Sequence, residues 1–337
     1  MVSSTVYFAL VPAAVKHRPA WPPRTRGPYL PTMADTPAVF DRGLLRARRD
    51  RAAGGLASFD FLIREVAGRL LDRLEDVRRA FPLALDVGCH TGQVARALAA
   101  AGGCAGIETL VQMDPSATMV GRAEGLRVVG DEEALPFGPD RFDLALSAFS
   151  LHWTNDLPGA LAQVRHALKP DGLLLAALPG GTSLGELREA LMRAEIEREG
   201  GAGPRVSPFA DVRDAGMLLQ RAGFALPVVD VDEVAVTYDN ALALLRDLRG
   251  MGEANALADR SRRPLRRATL LRAAEIYRET FADARGRVPA TFQILFLTAW
   301  KPHPTQPQPL RRGSGQASLA KALGVPVEVL EGRRERE

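Results

Sequence analysis

The sequence predicts an α/β protein, a doubly wound and largely parallel sheet of seven strands with a helical insertion capping the ligand-binding edge. Three observations carry this. Short apolar runs alternate with segments of helical period between residues 59 and 180. The first run ends in a glycine-rich turn that opens a helix, the usual place for a ligand in such sheets. After residue 180 helices dominate, interrupted by two late strands.

A helix comes first, over 59–74, because Phe59, Leu62, Ile63, Val66, Leu70 and Leu74 recur at helical spacing. Residues 83–88 form a short apolar run stopped by glycine, which reads as a buried strand. Helix 93–101 follows, and Gly102-Gly103 ends it. The unit repeats as strand 110–114, helix 115–123 and strand 126–130. Strand 142–148, helix 157–168, the turn Lys169-Pro-Asp-Gly172 and strand 173–178 complete the core, 80–180. Such alternation builds a parallel sheet that binds ligands at its carboxyl edge. Beyond it, 184–199, 210–222, 241–248 and 265–281 read as helices and 228–238 and 290–300 as strands, giving a helical cap and late strands over 181–301.

The 337 residues are 46% hydrophobic and 25% charged, globular values that exclude wholesale disorder. The excess of 44 Lys+Arg over 40 Asp+Glu lies wholly in residues 1–34, as Lys16, Arg18, Arg24 and Arg26. Pro12, Pro19, Pro22, Pro23, Pro28 and Pro31 prevent a continuous helix there. That segment reads as a disordered basic leader, with Met33 as an alternative start. The proline-rich residues 302–337 read as a flexible tail with a short helix near 319–323. The remaining body, 35–301, is expected to be one domain, and from Asp35 onward 40 basic residues balance 40 acidic ones. That balance, and the lack of an aromatic–basic stripe, count against a nucleic-acid partner. No transmembrane segment is expected. Arg42, Arg46, Arg48, Arg49 and Arg51, broken by Asp50 and preceded by Asp41, read as a solvated helix start or a partner contact. Two cysteines without a CxxC pair suggest neither a disulfide framework nor zinc.

The chemistry sits at the strand ends. Asp86, Gly88, Cys89 and Gly92 form a turn of the spacing D-x-G-x-x-x-G, not the G-x-G-x-x-G of dinucleotide sites. An acid so close to the turn repels a pyrophosphate and suits the cationic amino-acid end of S-adenosylmethionine (SAM). Asp86 lies inside an apolar strand and needs a partner. Asp114 is placed to accept ribose hydroxyls, or to cap the next helix with Pro115 as its first residue. Asp131 and Glu132 follow the third strand and can meet the adenine amino group. Ser147, His152 and Trp153 follow at the same edge. Cys89 reads as a packing residue of the turn.

Asp86–Gly92, Asp114, Gly130-Asp-Glu-Glu-Ala-Leu-Pro-Phe137, Phe142-Asp-Leu and Leu168-Lys-Pro-Asp-Gly172 resemble a type 11 SAM-dependent methyltransferase domain. The resemblance implies a Rossmann-like methyltransferase sheet and SAM held by Asp86, Gly88, Cys89, Gly92, Asp114, Pro115, Asp131, Glu132 and Ser147. Phe40-Asp-Arg, Ser150-Leu-His-Trp-Thr-Asn-Asp-Leu157, Ser207-Pro-Phe209, Gly250-Met-Gly-Glu253 and Val288-Pro-Ala-Thr-Phe-Gln293 resemble the assembly-factor-5 family of respiratory complex I. That resemblance implies a protein that keeps the methyltransferase fold and hydroxylates an arginine of, or chaperones, a respiratory subunit. His90 stands where the motif has glycine, and histidine adopts left-handed geometry more readily than a branched residue.

Two functions follow. The first is methyl transfer from SAM to an unidentified small-molecule, carrier-bound or protein acceptor. It needs alignment and, for a protonated nucleophile, a base. His152 and Trp153 are the catalytic candidates, while Glu195 and Glu199, four apart on one helix, read as a solvated charged face. The second is the complex I factor, whose hydroxylation calls for an oxygen-activating cofactor. None of His17, His90, His152, His166 and His303 is followed two residues later by an acid, so no metal site is expected. The expected location is the cytoplasm, or the periphery of the inner membrane for the second function.

Overall fold

The computed structural model describes residues 38–307. The basic leader and most of the proline-rich tail, with its expected short helix, lie outside the described residues. The chain opens with α1 (Arg42–Ala52) and α2 (Phe61–Glu75), then alternates β1 (Leu83–Val87), α3 (Gln93–Ala100), β2 (Thr109–Asp114), α4 (Ala117–Val120), β3 (Leu126–Val129) and β4 (Phe142–Ala148). It continues through α5 (Leu157–Ala167), β5 (Leu168–Pro179), α6 (Gly185–Glu199), α7 (Val212–Arg221), β6 (Ala225–Tyr238), α8 (Ala241–Met251), α9 (Arg267–Phe281) and β7 (Val288–Trp300). The sheet order is β3-β2-β1-β4-β5-β7-β6. The strands from β3 to β5 pair in parallel, and β7 runs antiparallel to both of its neighbours.

The expected seven-stranded α/β sheet is therefore present. Strand side chains alternate between its two faces. Ala84 of β1 packs in the core beneath α2, α3 and α6, whereas Leu85 and Val87 join the core beneath α5 and α7. Asp86 shares the face of Ala84, one residue before the strand ends at the glycine turn. The order of the strands reverses between β1 and β4, which leaves a crevice at their carboxyl ends.

Several local expectations change. The helix expected over 115–123 starts two residues later because Ser116, not Asp114, caps it by accepting from the Met119 N–H at 3.0 Å, and it ends at Val120 before Gly121. Strand β5 starts at Leu168, and the expected Lys169–Gly172 turn is absorbed as a register shift against β4. Helix α7 is no part of a cap: Ala215 and Leu219 pack with Leu161 and Val164 of α5 against the sheet. No helix among the described residues is long and apolar enough to cross a membrane.

Candidate functional site

The turn after β1 is built as the spacing required. Gly88 has φ +77, and a Cβ there would lie 2.0 Å from Ser150 Cβ, so only glycine fits. His90 takes φ +51, in the left-handed region that favours glycine. Its side chain offsets the strain: Nε2 lies 3.1 Å from the Ala148 carbonyl and 3.2 Å from that of Phe149, which is itself left-handed at φ +54. Burial and nearby Arg49 pull the His90 imidazole down to about 4, so it is neutral and Nε2 donates. Cys89 is buried packing with its thiol pushed well up by burial. Gly92, at φ +92, opens α3.

Asp86 is fully buried, and neither carboxylate oxygen has a partner. Burial, then repulsion from Asp114, pushes it up to about 8. The partner that an acid in this strand requires is not supplied by the described residues.

Asp114 and Glu132 are also fully buried, but both are engaged. Asp114 Oδ1 accepts from the Ser116 N–H at 2.8 Å, and Oδ2 accepts from the His90 N–H at 3.1 Å and from Arg49 at 3.1 Å. Arg49 reaches 3.4 Å from Glu132 and donates to Ser150 Oγ at 3.0 Å. Glu132 also accepts from Arg42 and Ser150. Asp131, more exposed, binds Arg42 at 2.5 Å. Burial would raise both carboxyls. For Glu132 the two arginines more than offset it and hold the group down to about 2, while Asp114 stays raised at about 6.

This corrects the reading of the arginine cluster. Arg49 lies four residues after buried Leu45 on one face of α1 and is itself fully buried. Asp41 caps α1, accepting from the Leu44 N–H at 2.9 Å, and Asp50 accepts from Ser116 Oγ at 2.5 Å. Helix α1 is therefore clamped onto the strand ends by its own charges. Two further corrections concern polar groups. The hydroxyl of Ser147 donates to the Val87 carbonyl at 2.7 Å, tying β4 to β1, and it is Ser150 that meets the acids. Of the expected solvated pair, Glu195 is instead buried on Arg205 at 2.7 Å, while Glu199 is exposed and accepts from Thr269 at 2.7 Å. Pro115, partly buried, neither starts α4 nor makes a polar contact of its own.

His152 and Trp153 line a cavity of about 750 Å³, to which Leu44 and Arg48 of α1 also contribute. They converge on a residue without a role in the sequence reading, Glu253. Its Oε2 accepts from Trp153 Nε1 at 2.7 Å and lies 3.1 Å from His152 Nε2. Its Oε1 is buried without a partner. Burial would raise this carboxyl, but His152 and the charge of Arg49 hold it below its ordinary value, so it is ionised. The end of α8 fixes its position. The Glu253 N–H donates to Leu248 O at 2.9 Å across Gly252, which has φ +84, a glycine-terminated helix end. Phe149 and Phe209 stand edge-on to the His152 ring at 6.0 and 6.3 Å. Among the described residues no group of three or more His, Cys, Asp or Glu is arranged to hold a metal ion.

Residues 85–176 match the family described as "Methyltransferase domain". The chain is 46% identical over 289 residues to the mitochondrial arginine-hydroxylase NDUFAF5 of Danio rerio, covering 84% of this chain and 88% of that protein. It is 44% identical to the human protein of that name, covering 83% and 82%. It is also 35% identical to the malonyl-[acyl-carrier protein] O-methyltransferase of Methylovorus sp. (strain MP688), covering 78% and 90%. The chain is thus a methyltransferase-fold protein and belongs to the NDUFAF5 arginine-hydroxylase family.

Proposed function

We propose that this chain binds SAM and modifies an arginine side chain of a respiratory complex I subunit. The observation that carries the acceptor is Glu253, an ionised, partly buried carboxylate with one oxygen unpartnered and aromatic walls beside it. A guanidinium suits such a place, because its planar N–H donors bind carboxylate while its faces stack on rings. The names of the relatives at 46% and 44% identity support the same acceptor.

The strand-edge donors fit the cofactor by type. Asp86, with two unpartnered oxygens, would take the ammonium, Asp114 the ribose hydroxyls, and Asp131 and Glu132 the base. One condition attaches: Asp114 and Glu132 hold Arg49, so SAM must replace Arg49 there. When bound, SAM supplies an electrophilic methyl group. At the acceptor, Glu253 anchors the guanidinium and Trp153 holds Glu253. With His152 Nε2–H bonded to Glu253, the buried and unpartnered Nδ1 is the atom available to receive a proton.

Two chemistries use this pocket. Hydroxylation, as in the relatives' name, puts one atom of dioxygen into a C–H bond. The other atom leaves as water with two electrons and two protons from an external donor. Methylation replaces an N–H proton, and the methyltransferase domain and the carrier-protein relative favour it. Incubating the full chain with SAM, dioxygen, a reductant and complex I subunits, then reading arginine peptides by mass spectrometry, separates them as about +16 or +14 Da. An unmodified arginine that also fails to bind would sink the proposal. The reading places the chain in the cytoplasm, peripheral to the inner membrane, and salt-dependent membrane fractionation checks this.

A further inference from the structure

The cavity holds a contradiction in charge. Its inner side has Glu253, which suits a cation, yet five of the seven charged side chains lining it are arginines: Arg48, Arg205, Arg260, Arg262 and Arg263. The carboxylates are Glu253 and Asp41, so the lining carries an excess of three positive charges. Counting Glu195, which binds Arg205 from outside the lining, still leaves two.

The arginines differ in how they are held. Arg205 pairs with Glu195, and Arg260 pairs with Asp41 at 3.2 Å. Arg48 donates only to the backbone carbonyls of Ala254 and Asn255, and burial and the charges of Arg260 and Arg51 depress its basicity. Arg262 and Arg263 are exposed and have no carboxylate partner among the described residues. They sit on the loop that runs from Glu253 to α9, so one segment carries the inner anion and the outer cations.

A free arginine, or one in a basic peptide, meets repulsion from this rim before it reaches Glu253. Repulsion between such like charges discriminates between peptides at low ionic strength and is screened as salt rises. We propose that the partner presents its arginine within an acidic segment, whose flanking carboxylates engage Arg262, Arg263 and Arg48 while the guanidinium reaches Glu253. This rests on the arginine reading of the cavity and adds a requirement on the sequence around that arginine. Arginine rims of this kind recognise carboxylates through paired N–H donors, and they set specificity as much as affinity.

The test uses the full chain and four labelled peptides read by fluorescence anisotropy: arginine or citrulline at the centre, each with aspartate or serine flanks. The aspartate-flanked arginine peptide binds at least about tenfold more tightly than its serine-flanked counterpart, and the gap narrows as salt rises. The double variant Arg262→Glu with Arg263→Glu, at exposed positions, abolishes that gap and leaves the arginine-over-citrulline preference unchanged. Equal binding of the two arginine peptides, or an equal loss for both in the double variant, overturns the acidic-segment proposal alone. Equal binding of arginine and citrulline peptides overturns the guanidinium reading beneath it, and a surviving flank effect tells the two failures apart.

Discussion

Helix α1 adjoins two acid clusters that are completed in opposite ways. On one side Asp114 and Glu132 are dry and fully bonded, with Arg42 and Arg49 as built-in counterions. On the other Glu253 is held by one oxygen and keeps the second unpartnered at a cavity. A paired buried cluster holds the fold together and answers a ligand only by exchange. A half-paired one already has a bond to offer. Burial alone therefore does not mark a site; the unused bonding capacity does.

The sharpest way to break the paired side is to remove its cation. Arg49→Leu leaves Asp114 and Glu132 short of a buried partner and should cost roughly 3–5 kcal/mol, read as a lower urea midpoint. Arg49→Lys keeps the charge and should cost less. An Arg49→Leu protein as stable as the parent would mean that Asp114 and Glu132 need no counterion.

Asp86 belongs to the same edge but lacks any bond, and pH should expose it. Its carboxyl ionises near 3.8 when unfolded and near 8 when folded, so between these values the folded state holds a proton that the unfolded state has lost. Stability should then fall as pH rises across that window, by up to about 1.4 kcal/mol per pH unit. Glu132, depressed to about 2, works the other way: its contribution is present above its ordinary 4.5 and fades only as pH falls toward 2. Asp114 and His90 also titrate below about pH 6.5, so Asp86→Asn should flatten the slope between there and pH 8 and leave the acid limb in place. Unchanged pH profiles would show that Asp86 has a partner in solution.

On the cavity side, Glu253→Gln keeps the shape and removes the charge. Binding of an arginine peptide should weaken by about 1.5–3 kcal/mol, the worth of a bond to a charged group. Titration calorimetry measures this, and the same variant should leave SAM affinity nearly unchanged. A shared loss of both ligands would show that the two clusters are one site.

The sheet was legible because strand and helix periods differ, and the runs at 83–88 and 142–148 could be little else. The glycine turn and the acids at Asp86, Asp114 and Glu132 were legible because strand ends converge in this topology. Their counterions were not. Arg42 and Arg49 lie seven apart, two helical turns, whether that face meets water or a sheet edge, and a charged run carries no sign of burial. Glu253 left a trace that only geometry explains: Gly252 ends α8 in left-handed conformation and aims the next residue inward. Glu195 was misread because a four-residue spacing describes one helix and says nothing of Arg205 packed against it.

The serines give the smallest and most discriminating test. Ser147 lies within β4, where its hydroxyl reaches the Val87 carbonyl of the neighbouring strand. Ser150 lies past the strand end, against Gly88 and between Arg49 and Glu132. They lie three positions apart, and only the second touches the charged edge. Ser147→Ala should lower stability by about 1 kcal/mol, one neutral hydrogen bond, with SAM affinity unaltered. Ser150→Ala removes a neighbour of both Arg49 and Glu132, so it should change SAM affinity measurably at a similar small cost in stability. Paired calorimetry and urea titrations on the two variants read both quantities. If Ser147→Ala shifts SAM affinity while Ser150→Ala does not, the ligand lies against the strand and not against the arginine-held acids.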